Sequence, residues 1–444
     1  MEIIEKAQKM LEKYPLCDNC LGRQFALLGY GMDNQKRGES IKIILTMSGH
    51  QLALAGDKRG ASLLKNLSTN SSFPIAAKIL KRMKKRVKEA QKCYLCEDCF
   101  KNLHTLAEKV ARMLQEYEYD TFLVGVKLPV LIEEREDEFK AEYSVQHSES
   151  IRNEFSRVLG KMLIDFTGKS VDLMKPQVAI LINPFMEEVE FHVNSVYIMG
   201  RYRKLMRGIP QSRWICAECW GKGCSRCGWT GKMYPESVEE LVARPVLQKT
   251  FGEDFSFHAA GREDIDALML GRGRPFIIEV KKPRRRYIDL LELEEVINKE
   301  AEKKIEVSDL KFVDRDMVRK LKRSEKAIKV YRVVVNFDRE ISDEEIKTLE
   351  ETFTGATVLQ RTPFRVLQHR ADRVREKYIY ETKVKRLTQN SVEMRIRCQG
   401  GLYIKELITG DEGRTDPHVS KILNVKATPI KLDVLNILMK EGES

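Results

Sequence analysis

Residues Ala259–Val280 read AAGREDIDALMLGRGRPFIIEV. An apolar run, Phe255–Ala259, leads through a glycine to Arg262-Glu263-Asp264, resumes as Ile265–Leu270, and meets Gly271–Pro275 before a strand-like Phe276–Val280. Short apolar runs punctuated by Gly and Pro predict two strands with a turn at Gly271–Pro275, an arrangement that sets a carboxylate at a strand edge. Two chemistries fit these residues alone. Asp266, Glu279 and Lys281 have the spacing of a Mg²⁺-dependent nuclease, with two carboxylates for the ion and a lysine for the water. Alternatively, Asp264 acts singly beside Arg262 as nucleophile or base, and Glu279 and Lys281 are edge-strand charges. The plain structural reading is a turn with a surface ion pair, worth ~0–1 kcal/mol.

The rest of the chain bears on which reading holds. A length of 444 residues predicts two or three domains, each able to bury a core. The net charge of +12 favours a polyanionic partner such as nucleic acid. No apolar run approaches the ~20 residues of a membrane span, and Met1 opens into an amphipathic helical pattern, so a cytoplasmic protein with no membrane partner is expected. A monomer is the default. Nine of the ten cysteines fall in CxxC-type clusters, a usage that points to metal rather than disulfides. Cys398 stands alone and reads as a small buried hydrophobe.

Ile3, Ile4, Ala7, Met10 and Leu11 recur at helical spacing and lead into Cys17-Asp-Asn-Cys20. Glu39–Met47 reads as helix, Asn66–Ser72 as a polar loop, and Pro74–Lys92 as a helix with Lys81 and Lys85 on its basic outer face. That helix delivers Cys93, Cys96 and Cys99. A CxxC turn lets both sulfurs face one ion, so Cys17 and Cys20 with Cys93 and Cys96 would complete a tetrahedral zinc site, Cys99 being the alternative to Cys93. Helix at Phe100–Tyr117, a strand at Thr121–Val126, a helix from Ile151 and strands at Val178–Ile182, Val189–Val193 and Ser195–Ile198 argue for an α+β module.

A basic hook follows at Gly200–Gln211, where Arg201, Arg203, Lys204 and Arg207 surround Tyr202 in a pattern suited to phosphate contact and base stacking. Cys216, Cys219, Cys224 and Cys227 then form two CxxC knuckles among glycines, the strongest metal signal in the chain. They resemble the CxxCxGxG knuckles of the DnaJ co-chaperones but depart from them at Gly228-Trp229, and they suit a structural staple at a domain boundary. Further on, Ser237–Val242, Ile288–Lys303, Val318–Leu321 and Ser342–Phe353 read as helices, the last with a capping box. Lys326–Val335, Ser391–Cys398 and Lys431–Leu438 read as strands. Arg284, Arg285, Arg361 and Arg365 complete the basic clusters.

Gly261-Arg-Glu-Asp264-Ile-Asp followed by Gly271-Arg-Gly-Arg-Pro-Phe resembles the catalytic segment of the tRNA pseudouridine synthases of the Pus10 family, particularly its archaeal form. Companion signatures stand in order at Gly200-Arg-Tyr-Arg-Lys, Ser237-Val-Glu-Glu-Leu, Arg361-Thr-Pro, Leu402-Tyr-Ile-Lys-Glu406 and Gly413-Arg-Thr. The resemblance implies an α+β protein: a zinc-binding, THUMP-containing RNA-binding region followed by a pseudouridine-synthase fold, a mixed antiparallel sheet flanked by helices. The expected divisions are a helical zinc-binding region at 1–120, a THUMP-like module at 121–213, a zinc-knuckle linker at 214–232 and the catalytic domain at 233–444. It also implies that uridines 54 and 55 in the TΨC arm of tRNA are isomerised without a catalytic cofactor, with structural zinc in one or two sites. Asp264 matches the nucleophile; Arg262, Tyr331, Tyr403, Ile404, Lys405 and Leu432 match the surroundings of a flipped uridine. The alternatives are the nuclease and a zinc-containing RNA-binding protein without catalysis.

Overall fold

The computed structural model describes residues 2–323, 327–368 and 370–438. Their contacts divide into two compact units, Met1–Asn194 and Ser195–Ser444. The first unit runs α1 (Glu2–Lys13), α2 (Asp18–Gly22), α3 (Asn34–Leu54), α4 (Lys58–Asn70), α5 (Pro74–Arg82), α6 (Cys99–Leu114), β1 (Thr121–Val126), α7 (Val130–Glu142), α8 (Ile151–Thr167), β2 (Ser170–Val171), β3 (Val178–Asn183) and β4 (Glu188–Val193). The second runs β5 (Val196–Lys204), α9 (Val238–Thr250), β6 (Asp254–Ala259), β7 (Leu268–Lys281), α10 (Leu290–Glu300), β8 (Ile305–Val313), α11 (Asp316–Arg323), β9 (Ile328–Phe337), α12 (Asp343–Phe353), β10 (Thr357–Arg361), β11 (Val374–Thr388), β12 (Ser391–Cys398), α13 (Ile404–Thr409), β13 (Thr415–Asp416), α14 (Val419–Ile422) and β14 (Ala427–Leu438).

In the first unit a sheet ordered β2-β1-β3-β4 is parallel except for the β3–β4 pair. One core runs from Ala7 and Leu11 through Cys20 and Cys96 to Phe155 and Ile182, so the four N-terminal cysteines sit where helices and sheet share apolar contacts. Two local readings change. The polar stretch from Asn66 continues α4, with Leu67 and Ser68 turned into the core. The helix expected over Pro74–Lys92 stops at Arg82, because seven cations between Lys81 and Lys92 have no acidic i,i+4 partner until Glu89. Lys84 turns left-handed (φ 54°) and the Lys85 N–H caps the Leu80 carbonyl at 2.9 Å.

In the second unit the sheet order is β13-β10-β11-β12-β9-β14-β7-β5-β8, with β6 also on β7. It is mixed, since β7 and β14 run parallel while the other pairs run antiparallel. The expected turn at Gly271–Pro275 is absent; β7 passes straight through it as one 14-residue strand. The glycines serve close approach instead: a Cβ at Gly271 would stand 2.0 Å from the Leu435 carbonyl oxygen, and both Gly271 and Gly273 have positive φ. Along one edge β7 pairs first with β14 (Leu268–Asp433) and later with β6 (Phe276–Ala259). The sheet therefore forks, and the loop Ala260–Ala267 leaves from the fork.

One core packs α12 and α13 on β9 and β12, another packs α9 and α10 on β5, β7 and β14, and Tyr331 on β9 touches both. The boundary expected at 213 moves to Asn194, because Val196–Lys204 pairs with β7 and β8 rather than with β4. The knuckle at 214–232 accordingly connects β5 to α9 inside the second unit and is no linker between units. The strand read from Lys326 begins outside the described residues; its described part is β9. Among the described residues no helix is long and apolar enough to cross a membrane.

Candidate active site

The loop Ala260–Ala267 is fastened from beneath. Glu263 points inward, 5% exposed, where the Tyr202 phenol lies 3.0 Å from both its oxygens and Arg274 Nε donates to it at 2.8 Å. Arg274 Nη1 also donates to the Ala260 carbonyl, and Gln211 to that of Gly261. Lys204, fully buried, spends its ammonium on the carbonyls of Ile209, Asp264 and Ile265 at 2.9, 3.0 and 3.1 Å. Three donors meet three carbonyl acceptors, so the ammonium is satisfied without water. Lys204 was expected among the phosphate contacts; burial removes it from any RNA and makes it an anchor of this loop.

With Glu263 drawn in, Asp264 faces out, its side chain 30% exposed. Arg365 Nη1 donates to its Oδ1 at 3.1 Å, and Lys405 Nζ lies 3.2 Å from its Oδ2. Lys405 also holds both oxygens of Asp266, at 2.9 and 2.8 Å. Burial pushes the Asp266 carboxyl up, but the hydrogen bond and charge of Lys405 outweigh it and hold the group below the usual carboxylate range. Arg365 Nε donates at 2.6 Å to Glu406, which is buried on the first turn of α13. Burial opposes the charge on Arg365, and the Glu406 hydrogen bond with the Asp264 charge more than restores it, leaving its pKa raised.

Tyr403 borders this cluster. Its N–H and carbonyl are clamped by the Gln360 amide at 2.8 and 2.9 Å, its hydroxyl accepts from Arg370 at 3.2 Å, and the Arg365 guanidinium lies 6.0 Å from its ring. Tyr331 is half-buried opposite Ile396 and Val434. Burial, with added repulsion from the charges of Asp264 and Glu263, pushes its phenol above the usual value. Ile404 and Leu432 are buried in the same core as Tyr331's inner face. Arg262 is exposed and stacks 5.2 Å from the Trp214 ring.

The nuclease residues are not gathered. Lys281 pairs with Asp254, Glu279 with Tyr197 and His258, and Asp266 with Lys405. Glu279 lies eleven positions along β7 from Leu268, roughly 36 Å at strand rise. No ion could bridge it to Asp266.

Of the other basic residues, Lys81, Lys85, Arg284, Arg285 and Arg361 are exposed, Arg285 lying over Phe251 and Arg361 paired with Asp372. Arg201 and Arg203 are half-buried, Arg201 donating to the Gly273 carbonyl and Arg203 paired with Glu306. Arg207 ties the carbonyls of Asp266 and Leu432 to the Asp433 carboxylate. Sequence reading did not single out Glu406, Gln360, Glu263 or Arg274. A carboxylate flanked by Ile404 on one side and Leu407 and Ile408 on the other is the signal for Glu406.

Two sulfur clusters fit a tetrahedral ion. Cys17, Cys20, Cys93 and Cys96, and likewise Cys216, Cys219, Cys224 and Cys227, bring their four sulfurs within 4.8 Å of one another. The hydrogen-bond-range pairs measure 3.6 Å (Cys17–Cys96) and 3.8 Å (Cys216–Cys224, Cys219–Cys227), against about 3.8 Å for a tetrahedron with ~2.3 Å zinc–sulfur bonds. Backbone N–H groups of Cys17, Gly223 and Gly231 point at sulfurs, at 3.3, 3.2 and 3.2 Å, as thiolates require. Cys99 lies outside the first group, half-buried at the start of α6. The second cluster displays Trp220 and Trp229, 81% and 77% exposed.

Residues 197–438 match the family model "Pus10, C-terminal", and residues 106–183 match "Pus10 THUMP domain, archaeal". The chain is 39% identical to the tRNA pseudouridine synthase Pus10 of Methanothrix thermoacetophila and 42% identical to that of Methanocaldococcus jannaschii, covering in each case 98% of this chain and 94% of the relative. A Cbf5-Nop10-Gar1 complex is a structural neighbour over 45% of each chain, with TM-score 0.29 and 18% identity.

Proposed function

This chain belongs to the Pus10 family of tRNA pseudouridine synthases and is an RNA isomerase, and from that premise we propose that Asp264 is the nucleophile acting on a flipped uridine of the TΨC arm, at positions 54 and 55. The observation that carries this reading is the outward carboxylate of Asp264, set on a loop anchored from beneath by the buried Lys204 and Arg274 and bracketed by two cations. Set between them, it forms a bond to the substrate as the N-glycosidic bond breaks, and that bond breaks in turn once the uracil has rotated and C5 rejoins the ribose. The C5 proton is lost as N1 gains one, so atoms balance without any cofactor.

A uridine inside the tRNA elbow must first leave its stack, at a cost of a few kcal/mol. Tyr331 and Tyr403 offer rings for the extruded base, and Ile404 and Leu432 an apolar floor. With its phenol pushed up by burial, Tyr331 works as a neutral group that stacks and accepts, not as a phenolate. Arg262 meets the opened backbone, and the exposed Lys81, Lys85, Arg284, Arg285 and Arg361 contact phosphates, whereas Arg201, Arg203 and Arg207 are held by the Gly273 carbonyl, Glu306 and Asp433. Trp220 and Trp229 give the knuckle two stacking faces. Structural zinc in the two sulfur clusters holds the N-terminal helices and the knuckle. The enzyme works as a monomer.

Incubation of purified protein with unmodified tRNA transcripts, followed by carbodiimide and primer extension, tests the positions. Stops are expected at 54 and 55, at 55 alone in a transcript with C54, and at 54 alone in one with C55. Stops elsewhere in the arm would refute the assignment.

A further inference from the structure

Glu406 is a buried carboxylate, 4% exposed, for which the reaction as described has no use. Its side-chain partner is Arg365, which gives it Nε at 2.6 Å and Nη2 at 3.5 Å. Only Nη1 is left for Asp264. An arginine near one free carboxylate pairs with it through two parallel N–H groups, the geometry that binds a carboxylate most strongly. Here Glu406 takes that side of the fork. Asp264 receives one hydrogen bond from Arg365 and a second cation, Lys405, that it shares with Asp266. Three carboxylates thus compete for two cations, and the one that reacts is left under-coordinated.

We propose that Glu406 is a positioning residue for the isomerisation: by holding the fork of Arg365, it prevents a bidentate Arg365–Asp264 pair that would quench the nucleophile. This rests on the reading of Asp264 as nucleophile. Arg365 belongs to the exposed turn Phe364–Val366, whose backbone does not constrain the guanidinium, so the restraint comes from the side-chain pair and the Tyr403 ring beside it.

The test is a double-mutant cycle in single-turnover kinetics on the full chain with tRNA. Glu406→Gln keeps shape and removes charge; the rate of the chemical step should fall about tenfold or more, as small misplacements of reacting groups do, with tRNA affinity within about twofold of wild type. Glu406→Asp, which keeps the charge, should recover most of the rate. In an Arg365→Lys background, where no fork exists, Glu406→Gln should change the rate less than about twofold. An undiminished rate in Glu406→Gln, or the same loss in both backgrounds, overturns the proposal. So does a loss confined to tRNA affinity. If Glu406→Gln melts markedly lower than wild type, the Glu406→Asp pair of rates is read instead, and a loss there equal in both backgrounds also overturns it. Asp264→Asn run alongside separates the two claims: if it stays active the nucleophile is misassigned, whereas an inactive Asp264→Asn with a fully active Glu406→Gln sinks only the positioning role.

Discussion

Glu263 and Asp264 carry the same charge at adjacent positions, and their surroundings divide the work between them. Glu263 is sealed against Arg274 and Tyr202, and breaking such a buried pair by removing one partner typically costs ~3–5 kcal/mol. Asp264 touches only the ends of two cations that other carboxylates also hold. A like division applies to the tyrosines. Tyr202 is wholly buried and structural, while Tyr331 lies half-buried at the seam of two cores. Tyr331→Phe should retain tRNA affinity and slow the chemical step by about tenfold, the loss of roughly one hydrogen bond of ~1 kcal/mol from a ring that still stacks. Because burial raises the Tyr331 phenol above its usual 10.0, it stays protonated as pH rises to that value; wild-type and Phe pH–rate profiles should therefore share one shape below pH 10. An alkaline limb that disappears in the Phe variant would contradict this.

Elements built on local periodicity were legible in the sequence: the strand Thr121–Val126, the helix with its Ser342–Glu345 capping box, and the strand Ser391–Cys398 stand as read. Legible too were the knuckles, because a CxxC turn specifies its own geometry. What escaped depends on residues distant in sequence. Gly271–Pro275 has the composition of a turn, and it becomes strand because β5 pairs with it at Arg274 and Pro275 while the Leu435 carbonyl packs against Gly271. Lys204 looks like its basic neighbours, and it is the loop sixty residues on that takes two of its three hydrogen bonds. The paired cysteines make a prediction at this scale. Metal analysis should find two zinc ions per chain, one lost in Cys20→Ser and the other in Cys219→Ser. Cys20 lies in the apolar core of the first unit, so its loss should lower the melting temperature sharply, while Cys219→Ser should spare stability and weaken tRNA binding. A metal-free wild-type protein would remove zinc from the account.

Over the whole molecule, a net charge of +12 meets a polyanion, yet many of the basic residues near the loop are engaged with carboxylates or carbonyls: Arg203, Arg207, Arg274, Arg332 and Arg365. Net charge therefore overstates the phosphate contacts, which fall to the exposed cations named above. If about five of them meet phosphates, log affinity for tRNA should fall with log salt at a slope near −4. A slope near −10 would mean that the buried and paired arginines also reach the RNA. The central claim is narrower, that one carboxylate of the forked sheet does the chemistry. It is tested most directly by mapping pseudouridine in tRNA treated with wild type, Asp264→Asn and Asp266→Asn, with binding measured in parallel. Asp264→Asn should bind tRNA as wild type does and form no pseudouridine, while Asp266→Asn retains activity; pseudouridine formed by Asp264→Asn would contradict the account.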